Sequence, residues 1–308
     1  MAQLIKLQNY ITRYEWDIYR YPSQFIRMKQ DNWNRILHLW SNHEPLTGNV
    51  EEEEIPKESK WKTLLKRKVQ DDPVVEEEKE TAIPKSEEEL KHYFLEHLLP
   101  FQMKWATSTI SNVSFVDKKY YSDMTLQYFL KRFPDTYLLM YYPIFELRNA
   151  PIEAEIILIS PVGIEVIYLL EDHLDTVITA SDDRSWTHEY DNKQTKRLSP
   201  MFALKRSEKI IKGILEKHDI NFPIEKIVLS RTNVINYLSE PYQTRVVGKQ
   251  EYEKWFQEKR SLISPLKGSQ LKAAEALLKH CQSSYVKRPE WEEDENQNGF
   301  SFIEEDER

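Results

Sequence analysis

The stretch EAEIILISPVGIEVI (153–167) carries the strongest strand pattern of this chain. Two short apolar runs rich in isoleucine are separated by Pro161, Val162 and Gly163, a combination typical of a tight turn. Runs of this length with β-branched residues favour buried strands over helices. The sequence therefore predicts two neighbouring strands joined by a glycine turn, at 153–159 and 164–170.

Strand and helix patterns continue on both sides of this hairpin. Ser86 with Glu89 forms a capping box that opens a helix at about 87–98, and Ser199-Pro200 is a helix start for a helix to about His218. Further strands are expected at 137–147, 174–180 and 224–231, and further helices near 122–133, 249–261 and 268–283. This order predicts an α/β fold with a mixed central sheet flanked by helices, with added N- and C-terminal helices.

Composition shifts divide the chain into five parts. Residues 1–43 are an aromatic segment predicted to be helical, with an amphipathic helix near 30–41. Acidic runs and prolines make 44–84 a predicted disordered linker, and 289–308 a predicted disordered acidic tail. The α/β core is expected at 85–237, and C-terminal helices at 238–288.

One basic segment interrupts the predicted linker. In KESKWKTLLKRK (57–68), three apolar residues form a stripe edged by lysines and an arginine. Such a segment suits either a short solvated helix attracted to its acidic flanks, or docking to an anionic membrane or a groove. Residues 1–68 are accordingly the candidate surface for an unidentified protein partner.

Charge and cysteine content restrict the function classes. The formal charge of the 308 residues is −8. Residues 290–308 hold nine acidic residues and one arginine, which is also −8, so the other 289 residues sum to zero and net charge does not support nucleic-acid binding. A single cysteine, Cys281, fits a reducing compartment and core packing. With no transmembrane segment and no signal-peptide pattern, we expect a cytoplasmic protein.

Residues of about 120–237 resemble a known family. The hairpin at 153–167, Trp186, and the helix start at Ser199-Pro200 followed by an apolar strand are similar to the nuclease-related domain, NERD. This domain is a bacterial branch of the PD-(D/E)xK restriction-endonuclease-like superfamily. The resemblance implies a restriction-endonuclease-like core and a site in which carboxylates hold Mg²⁺ beside a lysine. Such an ion lowers the pKa of a bound water and neutralises charge on the phosphate.

The positions that the resemblance assigns to catalysis are altered here. The acidic residue before the turn matches Glu155, with Glu153 expected on the same strand face. The E-x-K pair falls on Tyr168 and Leu170, and the glutamine of the later helix falls on Ala203. The family's Gly-x-x-Gly-Glu stretch has no counterpart near Ser122 and Asp123. The resemblance thus implies a vestigial site. The residues weighed as replacements are Glu165, expected on the opposite face, Glu171, Asp172, and the hairpin lysines Lys193 and Lys196.

Three functions are compatible with these residues. The first is a bacterial cytoplasmic binding or regulatory module without catalytic activity and without a cofactor. The second is a Mg²⁺-dependent DNA nuclease with a rearranged site, in which Glu153 and Glu155 are metal ligands and Lys193 or Lys196 is a migrated lysine. The third is a non-cleaving nucleic-acid-binding protein that uses Lys205, Arg206, Lys209 and Lys212.

Overall fold

The computed structural model describes residues 1–46, 84–147, 150–181 and 184–288. Most of the predicted linker, including the basic segment 57–68, and the acidic tail fall outside the described residues. The described chain divides into two compact units. One comprises Met1–Ser23 and the chain from Gln102 onwards, and the other comprises Gln24–Phe101.

A six-stranded mixed sheet forms the centre of the first unit. Its strand order is β1-β3-β6-β7-β11-β13. The β1–β3, β7–β11 and β11–β13 pairs are parallel, whereas β3–β6 and β6–β7 are antiparallel. These strands are β1 (Gln3–Leu7), β3 (Leu138–Tyr141), β6 (Ile156–Ser160), β7 (Gly163–Leu169), β11 (Ile224–Leu229) and β13 (Thr244–Val247). The predicted α/β fold with a mixed central sheet is confirmed.

The remaining described strands form smaller sheets. A four-stranded sheet has the order β10-β9-β8-β12, and two-stranded sheets are formed by β4 with β5 and by β2 with β14. Their bounds are β2 (Asn112–Val113), β4 (Ile144–Leu147), β5 (Ala150–Glu153), β8 (Val177–Thr179), β9 (Ser185–Tyr190), β10 (Lys193–Leu198), β12 (Val234–Asn236) and β14 (Val286–Lys287).

The described residues also form six α-helices. They are α1 (Tyr21–Ser41), α2 (Glu87–Trp105), α3 (Met124–Arg132), α4 (Met201–Lys217), α5 (Lys249–Arg260) and α6 (Gly268–Leu278), with short 3₁₀ turns at Arg13–Glu15 and Lys118–Tyr121. In α4 the buried side chains recur at helical spacing, with Leu204, Ile211 and Leu215 among them, so one stripe of the helix faces the sheet. None of the described helices is long and apolar enough to cross a bilayer.

The central hairpin has the predicted tight turn between β6 and β7. The buried Ser160 hydroxyl accepts hydrogen bonds from the backbone N–H groups of Val162 and Gly163, at 3.2 and 3.1 Å. Gly163 does not need a positive φ. A Cβ at this position would instead lie 3.2 Å from the Pro223 carbonyl oxygen, which already accepts the N–H of Ile164 at 2.8 Å. Glycine therefore allows the close approach of the chain before β11.

The second unit contains most of α1 and α2. Trp33 packs on Phe94 with ring centroids 5.4 Å apart, and the Trp40 indole donates to the Pro84 carbonyl at 2.7 Å. The Ser86 hydroxyl accepts the N–H of Glu89 at 3.2 Å, as the capping box predicts, although the Glu89 carboxylate accepts from Lys85 rather than from Ser86. The amphipathic helix predicted near 30–41 is thus the second half of a longer one.

Two predictions about the organisation of the chain are wrong. The segment 1–43 is not wholly helical, because Gln3–Leu7 is an edge strand of the central sheet, and the core is wider than 85–237, because β1 and β13 lie outside that range. The partner of β1 is β3, more than 130 residues downstream, and local periodicity carries no signal for such a pairing.

Two predicted strands are each divided. The run 137–147 breaks into β3 and β4 at Tyr142, which has a positive φ of 46°, and Pro143, which has no N–H to donate to a ladder. The run 153–159 is divided between the end of β5 and β6. Apolar residues on both sides of each break concealed it from a reading of hydrophobicity alone.

Candidate functional site

The residues assigned by the resemblance meet beside the start of β6 and the end of β7. In this hairpin Ile156 pairs with Ile167, so Glu155 and Tyr168, one step further along each strand, are neighbours. Helix α4 covers them, because the N–H of Glu155 donates to the Ser207 hydroxyl at 3.0 Å. The Glu155 carboxylate lies 3.9 Å from the Arg206 guanidinium. Glu155, the acidic residue that the resemblance assigns to the site, therefore faces a cation of the protein itself.

Burial and neighbouring charges shift the ionisation of this group. Burial raises the pKa of Glu155, an effect that Arg206 opposes and Glu153 reinforces. Burial and then the charge of Glu155 raise the pKa of Tyr168, while Arg197 lowers it. The pKa of Tyr142 is also raised, by burial and then by the charges of Glu155 and other acidic residues. Both tyrosines are therefore neutral hydroxyl donors at physiological pH.

Glu153 does not share a strand with Glu155, so the prediction of a common strand face is wrong. It ends β5, which pairs with β4 outside the central sheet, and its side chain is exposed. The N–H of the intervening Ala154 donates to the Pro143 carbonyl at 3.0 Å, which turns the chain from one sheet into the other. The charge of Glu153 still raises the pKa of Glu155, although the two residues do not share a strand.

The three other carboxylates considered as replacements are held in ion pairs. Glu165, on the face of β7 opposite to Tyr168, pairs with Lys259 of α5. The Arg231 guanidinium donates to both oxygens of Glu171, at 2.6 and 2.7 Å. Asp172 contacts His188 at 3.0 Å and Arg197 at 2.8 Å. Within the described ranges, no group of three His, Cys, Asp or Glu side chains is arranged to hold a metal ion.

The two candidate migrated lysines lie on β10, where all six residues are exposed. Lys193 and Lys196 are three residues apart in this strand, so their side chains leave on opposite faces. In the part of the chain that the structure describes, neither forms an ion pair with a carboxylate within 4 Å. The arrangement therefore does not bring a lysine of this hairpin onto Glu155.

The last two positions that the resemblance assigns, Leu170 and Ala203, have apolar side chains that make no polar contact. Leu170 follows β7 and is half-buried, and its N–H donates to the Leu229 carbonyl at 2.8 Å, so its backbone continues the sheet. Ala203 is half-buried in the first turn of α4. Neither residue can hold a metal or move a proton.

Two charged residues near the site had not been singled out from the sequence. Asp123 caps α3, accepting from the N–H groups of Thr125 and Leu126, and its other oxygen accepts the Tyr141 hydroxyl at 2.8 Å. Lys226 of β11 is buried on the α4 side and pairs with Glu208 at 2.5 Å. The capping pattern before α3 could have revealed Asp123, whereas the burial of Lys226 depends on the position of α4.

An exposed basic surface adjoins the site. Lys205, Arg206, Lys209 and Lys212 are all exposed on α4. On β10, Lys193 and Arg197 project from one face of the strand and Lys196 from the other. The segment 193–217 contains eight basic and two acidic residues, a net charge of +6 from 8 − 2. Two large apolar side chains are exposed within this basic surface, Leu198 at 70% and Phe202 at 47%. Exposed apolar groups among cations are a feature of surfaces that bind single-stranded nucleic acids.

Comparisons with known proteins give one partial similarity. No family model and no solved structure matches the chain. An RNA 2′,3′-cyclic phosphodiesterase of Geobacillus stearothermophilus is 34% identical to it over 113 residues. The matched segment is 33% of this chain and 36% of that protein, so the chain matches about a third of the length of this relative.

Proposed function

We propose that this chain is a nuclease-like module that binds single-stranded RNA and does not cleave it. The observation that carries the proposal is the exposed basic face of α4, formed by Lys205, Arg206, Lys209 and Lys212, whose Arg206 lies 3.9 Å from the Glu155 carboxylate. Lysine and arginine side chains bind phosphates independently of sequence, by releasing condensed counterions. The neutral sum of charges outside the acidic tail is compatible with this role, because binding depends on the local patch.

RNA is favoured as the ligand by two further observations. The partial relative from Geobacillus stearothermophilus is named for an activity on RNA. Phe202 presents an exposed ring one turn before Arg206 on α4. Unstacked bases pack on such rings, and each base–aromatic contact is worth about 1–3 kcal/mol. Paired bases in a duplex do not offer their faces in this way.

The residues around Glu155 are the reason why the proposed function does not include cleavage. Arg206 faces Glu155 where a metal ion would otherwise balance the carboxylate. Tyr168 and Leu170 supply neither the second carboxylate nor the lysine that metal-dependent cleavage requires. Glu155 thus lies beside the phosphate-binding surface without the partners that cleavage needs, and the module acts by holding RNA.

Fluorescence anisotropy with a labelled RNA of about 20 nucleotides tests the binding. We expect binding at about 50 mM salt that weakens steeply towards about 200 mM. In the triple variant K205E/K209E/K212E, affinity should fall at least about tenfold, and the slope of log affinity against log salt should decrease by about 2, since each lost phosphate contact contributes about 0.7. The Phe202→Ala variant should weaken binding of the single strand and leave that of the duplex unchanged.

A matched triple variant separates a specific surface from a change of net charge. Lys249, Lys254 and Lys272 are exposed and lie on α5 and α6. K249E/K254E/K272E alters the charge of the protein by the same amount, and it should retain the affinity of the wild type within about twofold. Equal losses in the two triple variants, or no binding at low salt, would refute the proposed surface.

Incubation of the RNA, and of DNA, with Mg²⁺ or Mn²⁺ tests the second part of the proposal. We expect the nucleic acids to remain intact. Cleavage that disappears in the Glu155→Ala variant would overturn the proposed inactivity and establish the rival function, a metal-dependent nuclease with a rearranged site.

A further inference from the structure

A pair of histidines lies outside the candidate site, where the ends of two helices meet. The Nε2 atoms of His218 and His280 are 3.1 Å apart, and the two ring planes are inclined at 66°. His218 is the C-terminal capping residue of α4, and His280 lies in the turn after α6. Both rings therefore approach each other through the same nitrogen, although the residues are 62 positions apart in the chain.

The positions of the two rings are set by the backbone of the helix ends. The N–H of His218 donates to the Leu215 carbonyl at 3.1 Å, and the N–H of His280 donates to the Leu277 carbonyl at 3.1 Å. The buried residues of α4 and α6, such as Ile214 and Leu277, belong to the same core. The two imidazoles are thus brought together by the packed ends of α4 and α6.

We propose that His218 and His280 form a binding site for one divalent transition-metal ion of the zinc class. Metal–nitrogen bonds of about 2.0–2.1 Å from two nitrogens 3.1 Å apart subtend an angle of about 100° at the ion, between the octahedral and the tetrahedral value. Imidazole is a preferred ligand of Zn²⁺, Ni²⁺ and Cu²⁺. Water completes the coordination, because the described residues contain no third side chain of suitable type in ligand position.

The helix ends favour a cation between the two rings, whereas the neighbouring Lys217 opposes one. Both histidines are at helix C-termini, where the backbone carbonyls favour positive charge. The charged and titratable groups around the pair are Lys217, Lys279, Glu275 and Tyr19; the Glu275 carboxylate accepts from Lys279 at 2.7 Å and from the Tyr19 hydroxyl at 2.9 Å. Burial, then Lys217 and His218, lowers the pKa of His280, which favours the neutral imidazole that binds metal.

Calorimetric titration of the full chain with ZnCl₂ and with NiCl₂ tests this site without any nucleic acid. We expect one site in the wild type that is weakened at least about tenfold in His218→Ala and in His280→Ala, because each variant removes one of two ligands. The control is His92→Ala, since His92 is also an exposed helical histidine beside a carboxylate, that of Glu96 at 3.6 Å. Its affinity should stay within about twofold of the wild type.

A thermal unfolding series supplies a second readout. Zn²⁺ should raise the unfolding temperature of the wild type and of His92→Ala, and this rise should be lost in the double variant H218A/H280A. Any zinc bound elsewhere on the chain is common to all variants, so the double variant gives the background. The proposal is overturned by equal affinity in the wild type and the double variant, or by no binding at about 1 mM zinc. Either result would mean that the two imidazoles form a hydrogen bond and no metal site. Neither readout depends on RNA binding.

Discussion

The buried ion pair between Glu165 and Lys259 allows a quantitative prediction. Glu165 is 6% exposed in the middle of β7, and its Oε1 accepts from Lys259 of α5. Its second oxygen, Oε2, is buried and has no hydrogen-bond partner among the described residues. The substitution Lys259→Met keeps the length of the side chain and removes its charge, so it leaves a buried carboxylate with no cation in contact.

The expected loss of stability is large. Removal of one partner of a buried pair costs about 3–5 kcal/mol, because the remaining charge keeps its desolvation penalty. An exposed pair such as Lys91–Glu87, at 2.7 Å, contributes only about 0.3–0.5 kcal/mol. Lys254→Met, on the exposed side of the same helix, should therefore be nearly neutral. The double variant E165M/K259M removes both charges and should be within about 1–2 kcal/mol of the wild type.

Urea denaturation at about pH 8 and about pH 5 measures these differences. Burial raises the pKa of Glu165 above its ordinary value of 4.5, and Lys259 opposes that rise. A raised folded-state pKa contributes stability that is fully present below the unfolded value and is lost as pH rises through the folded value. Without Lys259 the folded pKa rises further, so the deficit of Lys259→Met should be smaller at pH 5 than at pH 8. A deficit as small as that of Lys254→Met, or one independent of pH, would show that Lys259 does not compensate a buried charge on Glu165.

Two further predictions concern a glycine and the cysteine. Gly163→Ala should destabilise the protein by about 1 kcal/mol, because its Cβ would lie 3.2 Å from the Pro223 oxygen. Gly213→Ala in α4 meets nothing within 4 Å and should stabilise the protein by about 0.5–1 kcal/mol. A stabilised Gly163→Ala or a destabilised Gly213→Ala in chemical denaturation would contradict this. Burial raises the pKa of the Cys281 thiol to about 12, so at about pH 8 iodoacetamide should label it about 10³-fold more slowly than a free cysteine. Labelling at the rate of the denatured control would show that the thiol is accessible.

Much of the fold could be predicted from local pattern. The helices at 124–132, 201–217 and 249–260 and the strand at 224–229 lie within a few residues of their expected positions, because each has apolar periodicity bounded by a cap or a breaker. The capping box at Ser86 located the start of α2, but that helix continues through Pro100 to Trp105, beyond the expected end. Local pattern did not predict the long-range pairing of β1 or the break between strands at Tyr142.

The resemblance proposed the residues of the candidate site, whereas their contacts are known only from the structure. The resemblance assigns Tyr168 and Leu170 to the positions of the family's charged pair. Alternation along β7 places Glu165 on the other face of the strand, where it pairs with Lys259. The partners that neutralise the remaining carboxylates come from distant segments, such as Arg206 for Glu155. Pairing of this kind depends on how α4 packs on the sheet, which one-dimensional pattern does not contain.

The apolar strands of the central hairpin and the helix starts at Ser86 and near Ser199 follow from the sequence alone. These properties depend on neighbours within a few positions, since strand alternation and helix capping are local. The pairing of Gln3–Leu7 with the sheet and the contact of His218 with His280 depend instead on the packing of the whole unit. Contacts across such separations arise when packing of the whole core brings distant segments together, and no short-range pattern encodes them.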